Sequence, residues 1–221
     1  NNTGIGSHAL DANTTGANNT AVGKDAAKAN TTGNRNIAIG EFTFAVNTTG
    51  SDNTAVGTGA LQANTTASNN TAIGRVALSA NTTGTSNTGV GTYSLDENTT
   101  GGSNTALGVN ALTSNTTADN NTAVGKSALE ANTTGSSNSS LGTFSLQSST
   151  TGNSNSAFGR SALQNNTTAS ENSAFGKDTL KANTTGDNNT GVGYLALTAN
   201  TTGQLNTAVG ASALDANTTG V

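Results

Sequence analysis

Few side chains in this sequence could carry covalent chemistry. His8 is the only histidine and cysteine is absent, so no Cys–His pair and no His-rich metal set can be assembled. The acids Asp11, Asp96, Glu130 and Asp215 fall at positions whose equivalents elsewhere in the chain vary freely. A Ser-His-Asp or paired-carboxylate mechanism needs fixed partners. Calcium-dependent solenoids repeat Gly-Gly-x-Gly-x-Asp, and no Asp recurs here in a fixed place. The expectation is a protein that is not an enzyme, with no catalytic residue, no metal and no cofactor. What does recur is Asn-Thr-Thr. It forms an Asn-x-Thr acceptor for N-linked sugar at Asn13, Asn30, Asn47, Asn64, Asn81, Asn98, Asn115, Asn132, Asn166, Asn183, Asn200 and Asn217, with Ser149 in place of Asn once. Asn and Thr serve equally well there as turn residues. The paired threonines offer a second chemistry. One of each pair, such as Thr31 or Thr32, should form an outward file spaced ~4.8 Å, a repetitive face suited to ice. Hydroxyls bonding from one repeat to the next account for them just as well.

These residues are positioned by a repeat. Asn19-Thr20-Ala21-Val22-Gly23, a variable pair, Ala26-Ala27, a second variable pair, Asn30-Thr31-Thr32-Gly33 and a third variable pair make 17 residues, and thirteen such units fill the 221-residue chain. A fixed period of this length signals a solenoid, so residues 1–221 read as a single repeat array rather than as one or two globular domains. Apolar residues at 31% would ordinarily leave a chain unfolded. That rule presumes high net charge and no pattern, whereas the formal charge here is −4 and the pattern is strict. Stacked repeats can share a thin continuous core. Proline is absent, which leaves every backbone N–H available to a ladder. No apolar run approaches the ~20 residues of a membrane span, and mild acidity argues against nucleic acid, which wants clustered Lys and Arg.

The constant columns define the coil. Gly6, Gly23, Gly40, Gly57, Gly74, Gly91, Gly108, Gly125, Gly142, Gly159, Gly176, Gly193 and Gly210 never vary. They mark turns that need positive φ or exclude a side chain. The asparagine opening each unit, Asn2 to Asn206, is equally constant and can stack into a ladder. Ser127-Ala128-Leu129-Glu130-Ala131 looks helical, but Asn-Thr-Thr-Gly interrupts each unit well short of the ~12 residues a helix needs. Short strands between Gly and Asn turns fit better.

In a strand, neighbouring side chains point to opposite faces. The Ala21 column is small throughout, and the next column is large and apolar: Ile5, Val22, Ile39, Val56, Ile73, Val90, Leu107, Val124, Leu141, Phe158, Phe175, Val192 and Val209. If the small residues fill a narrow interior, the large ones form an outward stripe, the mark of an interface. A homo-oligomer with this column as its seam is therefore expected. The alternative is a wider coil in which the Leu column (Leu61, Leu78, Leu129) and the Val column both face in. A slower rhythm of 51 residues overlies the 17: Ala67, Ala118 and Ala169 replace Gly, and Phe42, Tyr93, Phe144 and Leu195 add bulk. Duplication of a three-coil unit explains the rhythm itself. Gly89, Ser140 and Gly191 lie four residues before Tyr93, Phe144 and Leu195, which suggests that each pair shares one packed volume.

Asn121-Thr122-Ala123-Val124-Gly125 followed by Ala128-Leu129 resembles the head repeats of trimeric autotransporter adhesins. The fuller phrase with Asn-Thr-Thr-Gly is similar to repeats in phage and bacterial tail-fibre proteins that end in an endosialidase-type chaperone. The resemblance implies an all-β fold, a left-handed parallel β-solenoid or β-roll, packed as a homotrimer with the Ile/Val column at the three-fold axis. The function expected is a non-enzymatic extracellular structural fibre or adhesin-type shaft at a cell or virion surface. Its expected partner is itself, as trimer or end-to-end filament, together with a surface receptor or glycan. Val221 stops one residue before a unit is complete and Asn1 supplies that residue, so the array reads as a segment of a longer fibre or a head-to-tail stacking unit. The competing expectation is a binding module with a repetitive Thr/Asn face, either ice-binding or glycan-bearing and glycan-binding.

Overall fold

The structure, a computed structural model, describes all of residues 1–221. It is an all-β parallel solenoid in which each 17-residue repeat makes one coil and contributes one three-residue strand, with no helix. The chain forms two compact units, Asn1–Val109 and Asn110–Val221. The first carries β1 (Thr3–Ile5), β2 (Thr20–Val22) and five further strands to β7 (Thr105–Leu107). Within it, sequential strands pair in parallel with Thr on Thr, Ala on Ala and Val on Val or its equivalent. The second unit repeats this from β8 (Thr122–Val124) to β13 (Thr207–Val209).

Each strand ends at an invariant glycine for two reasons. Gly23 has φ of +136°, outside the range of ordinary residues, and a Cβ there would lie 2.5 Å from the carbonyl oxygen of Gly40 in the next coil. The coils therefore approach backbone to backbone along this line, and any side chain would force them apart.

Beyond the glycine the chain enters a run of turns. Asp25 and Ala27 have φ of +55° and +47°, and so do their equivalents, mostly β-branched, aromatic or leucine residues such as Val76, Tyr93 and Leu129. Only Gly, Asn and Asp visit this region without appreciable strain, and others pay roughly 1–2 kcal/mol. The strain is offset inside. Leu61, Leu78, Leu95, Leu112, Leu129, Leu146, Leu163, Leu180 and Leu197 are fully buried at this φ, and burying a leucine contributes ~1.5–3 kcal/mol. The left-handed twist also aims successive N–H groups alternately at the coils on either side: Asp25 N–H donates to Ser7 O of the previous coil and Ala27 N–H to Thr43 O of the next.

The core thus holds the Leu column and the small Ala21 and Ala26 columns. The wider coil with both large apolar columns inside is not what forms: Leu faces in, Val faces out. The shared volume expected between Gly89 and Tyr93 is also not formed. Tyr93 lies outside against the Arg75 guanidinium, 4.7 Å from the ring centroid. The inner neighbour of Gly89 is Ser94, whose Oγ would sit 3.0 Å from an added Cβ, and Ser140 bonds Ser145 in the same way. At Gly191 the Thr179 methyl occupies the space. At Gly89 and Ser140 the facing residue is thus the one five positions on, which points inward, and at Gly191 it is a residue of the preceding coil; the residue four positions on points outward.

A third left-handed position recurs at Arg35, Asp52, Ser137 and their equivalents, where Asn18, Asn69, Asn120 and Asn188 also stand. Ser137 is exposed with φ of +61°. Replacing it by Asn relieves the strain without the entropy cost of Gly. Ser137→Asn should stabilise the fold by about 0.5 kcal/mol, read as a raised midpoint in thermal or urea unfolding.

Candidate functional site

Three sets of side chains recur with enough regularity to act: the asparagines inside, the outward strand face, and the threonines at the bend.

The asparagines are internal. Asn36 N–H donates to Asn19 Oδ1 (2.9 Å) and Asn36 Nδ2 to the Gly50 carbonyl (2.8 Å), and the pattern repeats along the column. The acceptor-motif asparagines form a second ladder. Asn47 Nδ2 donates to Asn30 Oδ1 at 2.8 Å and to Gly50 O at 3.1 Å, and Asn64 repeats it on Asn47. Asn30, Asn47, Asn64, Asn81, Asn98, Asn115, Asn132, Asn166, Asn183 and Asn200 are fully buried, while Asn13 and Asn217 are half-buried. A sugar on any buried amide would occupy the core and remove a ladder donor, so the folded coil has no room for glycosylation there. This corrects the expectation of a sugar-bearing edge. The physical reason is that an Asn-x-Thr triplet describes a turn, and this turn points its amide inward.

Ser149 interrupts the ladder, and both its Oγ and the Asn132 Oδ1 facing it are buried without a partner. A buried unsatisfied group costs about 1–3 kcal/mol. Ser149→Asn restores the donor and should stabilise the second unit by about 1–2 kcal/mol. The converse, Asn81→Ser, should destabilise the first unit by a similar amount. Urea unfolding of both variants against the parent checks the pair.

The strand face is the second set. Ala21 and its equivalents are buried, which turns Thr20 and Val22 outward together. The Ile5 to Val209 column is accordingly exposed or half-buried: Ile39 is 40% exposed, Leu141 49% and Phe175 42%, and Val22, Val56, Val90 and Val124 are half-buried. Phe158 and Phe175 stack in this column with centroids 5.1 Å apart and planes 8° from parallel.

Charge flanks the stripe unevenly. In the second unit Lys126, Arg160 and Lys177 lie just past the C-terminal ends of their strands, and Asp119, Glu171 and Asp187 lie before the N-terminal ends of theirs. In the first unit Arg35 and Asp52 neutralise each other on that edge through Nε–Oδ1 at 2.6 Å and Nη2–Oδ2 at 2.8 Å. These hydrogen bonds hold the Asp52 carboxyl below its usual range and raise Arg35. Because the folded carboxyl is the stronger acid, the pair contributes at neutral pH and is lost as pH falls through that lowered value. Lys24, Lys126 and Lys177 lie over the rings of Phe42, Phe144 and Tyr194 at 4.9, 6.0 and 5.3 Å, stapling adjacent coils on the outside.

The third set divides in two. Thr31 Oγ1 donates to Thr48 O at 2.9 Å, and the bond recurs down the column. Thr32 and its equivalents are exposed, and their hydroxyls make no bond within the coil. The ladder explanation and the outward-file explanation of the threonines thus each apply to one column.

His8 lies 3.8 Å from Asp11 on the surface with both side chains more than half exposed. No three residues among His, Cys, Asp and Glu gather as a metal set, and no helix is long and apolar enough to cross a membrane. Compared with known proteins, the chain matches no protein-family model, no curated protein and no solved structure.

Proposed function

We propose that this protein is a non-enzymatic structural shaft of an extracellular fibre, displayed at a cell or virion surface, in which left-handed coils associate as a homotrimer with the strand face at the axis. The observation that carries it is the outward column from Ile5 to Val209. Ile, Val, Leu or Phe faces solvent at this position in coil after coil, whereas other exposed apolar side chains such as Val46, Val109 and Leu205 stand singly in columns that vary, and such a stripe has a cost unless it is covered.

Copies of the same chain suit the stripe best, since equivalent columns have matching periods and can interdigitate along their whole length. The charge distribution favours a rotational arrangement of parallel chains. In the second unit the basic edge of one chain would meet the acidic edge of the next, whereas an antiparallel pair would set like edges together. The mechanics follow from the ladders: tension along the fibre axis is carried by backbone and amide hydrogen bonds between coils, shear between chains by the apolar seam. In such a shaft, receptor or glycan contact falls to the outward columns away from the seam.

Light scattering on the protein should give three times the chain mass of 21.5 kDa. Leu141→Asp should dissociate it, because assembly would bury an unpaired charge, while Ser154→Asp, on the exposed flanking column, should leave the mass unchanged. A monomeric parent, or an assembly that tolerates Leu141→Asp, overturns the seam.

A further inference from the structure

Five columns hold essentially one residue type in all thirteen coils, and the fold accounts for four of them. The Asn19 and Asn30 columns are the buried ladders, the Gly23 column is the close backbone approach, and Thr31 closes a hydroxyl bond to the next coil. The fifth is Thr32. Thr15, Thr32, Thr49, Thr66, Thr83 and Thr100 in the first unit, and Thr117 to Thr219 in the second, are all threonine and all exposed. Nothing in the coil requires a threonine at that place. Duplication alone does not explain it, because neighbouring columns on the outside of the coil have diverged in the same coils. The position two residues on, for instance, reads Asn34, Ser51, Ser68, Thr85, Gly102 and Asp119.

From this we infer that the Thr32 file is a binding face for the surface of ice. The file presents one methyl and one free hydroxyl per step of ~4.8 Å, a repeat close to that of the hexagonal ice lattice. It carries no charge over its length, although charged residues occur in the variable columns on either side. Its backbone is held: Thr32 N–H and Thr31 Oγ1 both bond Thr48 O, and Gly33 beneath it abuts the buried amide of Asn30. The backbone that carries the hydroxyls is therefore fixed, and only a side-chain rotation per threonine remains to be ordered on a lattice. A ligand matched to an unvarying, uncharged, one-residue repeat must itself be periodic. Water in its crystalline form meets that condition through hydroxyl hydrogen bonds and methyl contact alone.

The test is ice-recrystallisation inhibition and single-crystal ice shaping by the full chain, with three variants. The triple variant Thr66→Lys, Thr83→Lys, Thr134→Lys interrupts the file in both units at exposed sites. Thr58→Lys places one such lysine in the column where Arg75 and Lys126 already stand. Leu141→Asp separates the chains without touching the file. The parent, Thr58→Lys and Leu141→Asp should all shape ice and inhibit recrystallisation, and the triple variant should lose both with an unchanged circular-dichroism spectrum. A parent that neither shapes ice nor slows recrystallisation overturns the inference. So does a triple variant as active as the parent, or a file-dependent retention on crystalline chitin or cellulose without any effect on ice. Because Leu141→Asp is scored by mass in the one experiment and by ice in the other, failure of the seam and failure of the ice face are read separately.

Discussion

The constraint on which the rest of this structure depends is that its buried amides must be satisfied by the coils next to them. Two asparagine columns lie in the interior, and an asparagine amide left unpaired there costs as much as a well-packed aliphatic side chain gains. In the Asn19 column each Oδ1 accepts the backbone N–H of the next coil's asparagine and Nδ2 donates to a carbonyl one coil on. In the Asn30 column Nδ2 donates to Oδ1 of the previous coil's asparagine and to the carbonyl three residues on in its own coil. A slip of one residue between coils would break every one of these bonds that crosses from coil to coil. The ladder therefore does for register what an alternating apolar pattern does in a larger sheet, and does it with a core of little more than alanine and leucine.

That thin core explains the backbone. Three-residue strands bury only one small side chain each, so the coil must gain its apolar burial elsewhere, and it does so at a leucine held in a left-handed turn. The local strain and the local burial are of similar size, which makes the arrangement tenable only when neighbouring coils enclose the leucine. Isolated, one repeat would have the strain without the burial. Cooperation between coils is thus built into the conformation of each.

The exterior separates into faces because the coil has corners. The glycine column makes one corner and admits no side chain; the variable positions beside it are free to carry the basic residues and the aromatic rings that lean on them. The strand face between corners keeps Thr and Val pointing the same way, and the bend beyond it keeps Thr32 outward. A structural shaft and a repetitive outer face are compatible uses of one coil, since they occupy different columns.

The sequence by itself determined the period, the parallel solenoid, the turn at each glycine and the outward placement of the Ile5 to Val209 column. All of these follow from strict repetition, from the two-residue alternation of a strand and from the size contrast between Ala21 and Val22. Tertiary structure alone decided which way the turn residues face. Asn30 reads as an exposed sugar acceptor until the next coil is seen to take its amide, and Tyr93 reads as the neighbour of Gly89 until the chain between them is seen to turn outward. The left-handed leucines were illegible for the same reason: local propensity forbids them, and only enclosure by adjacent coils offsets the strain. Thr31 and Thr32 are identical in sequence terms, and what separates them is whether a carbonyl of the following coil lies within reach of the hydroxyl.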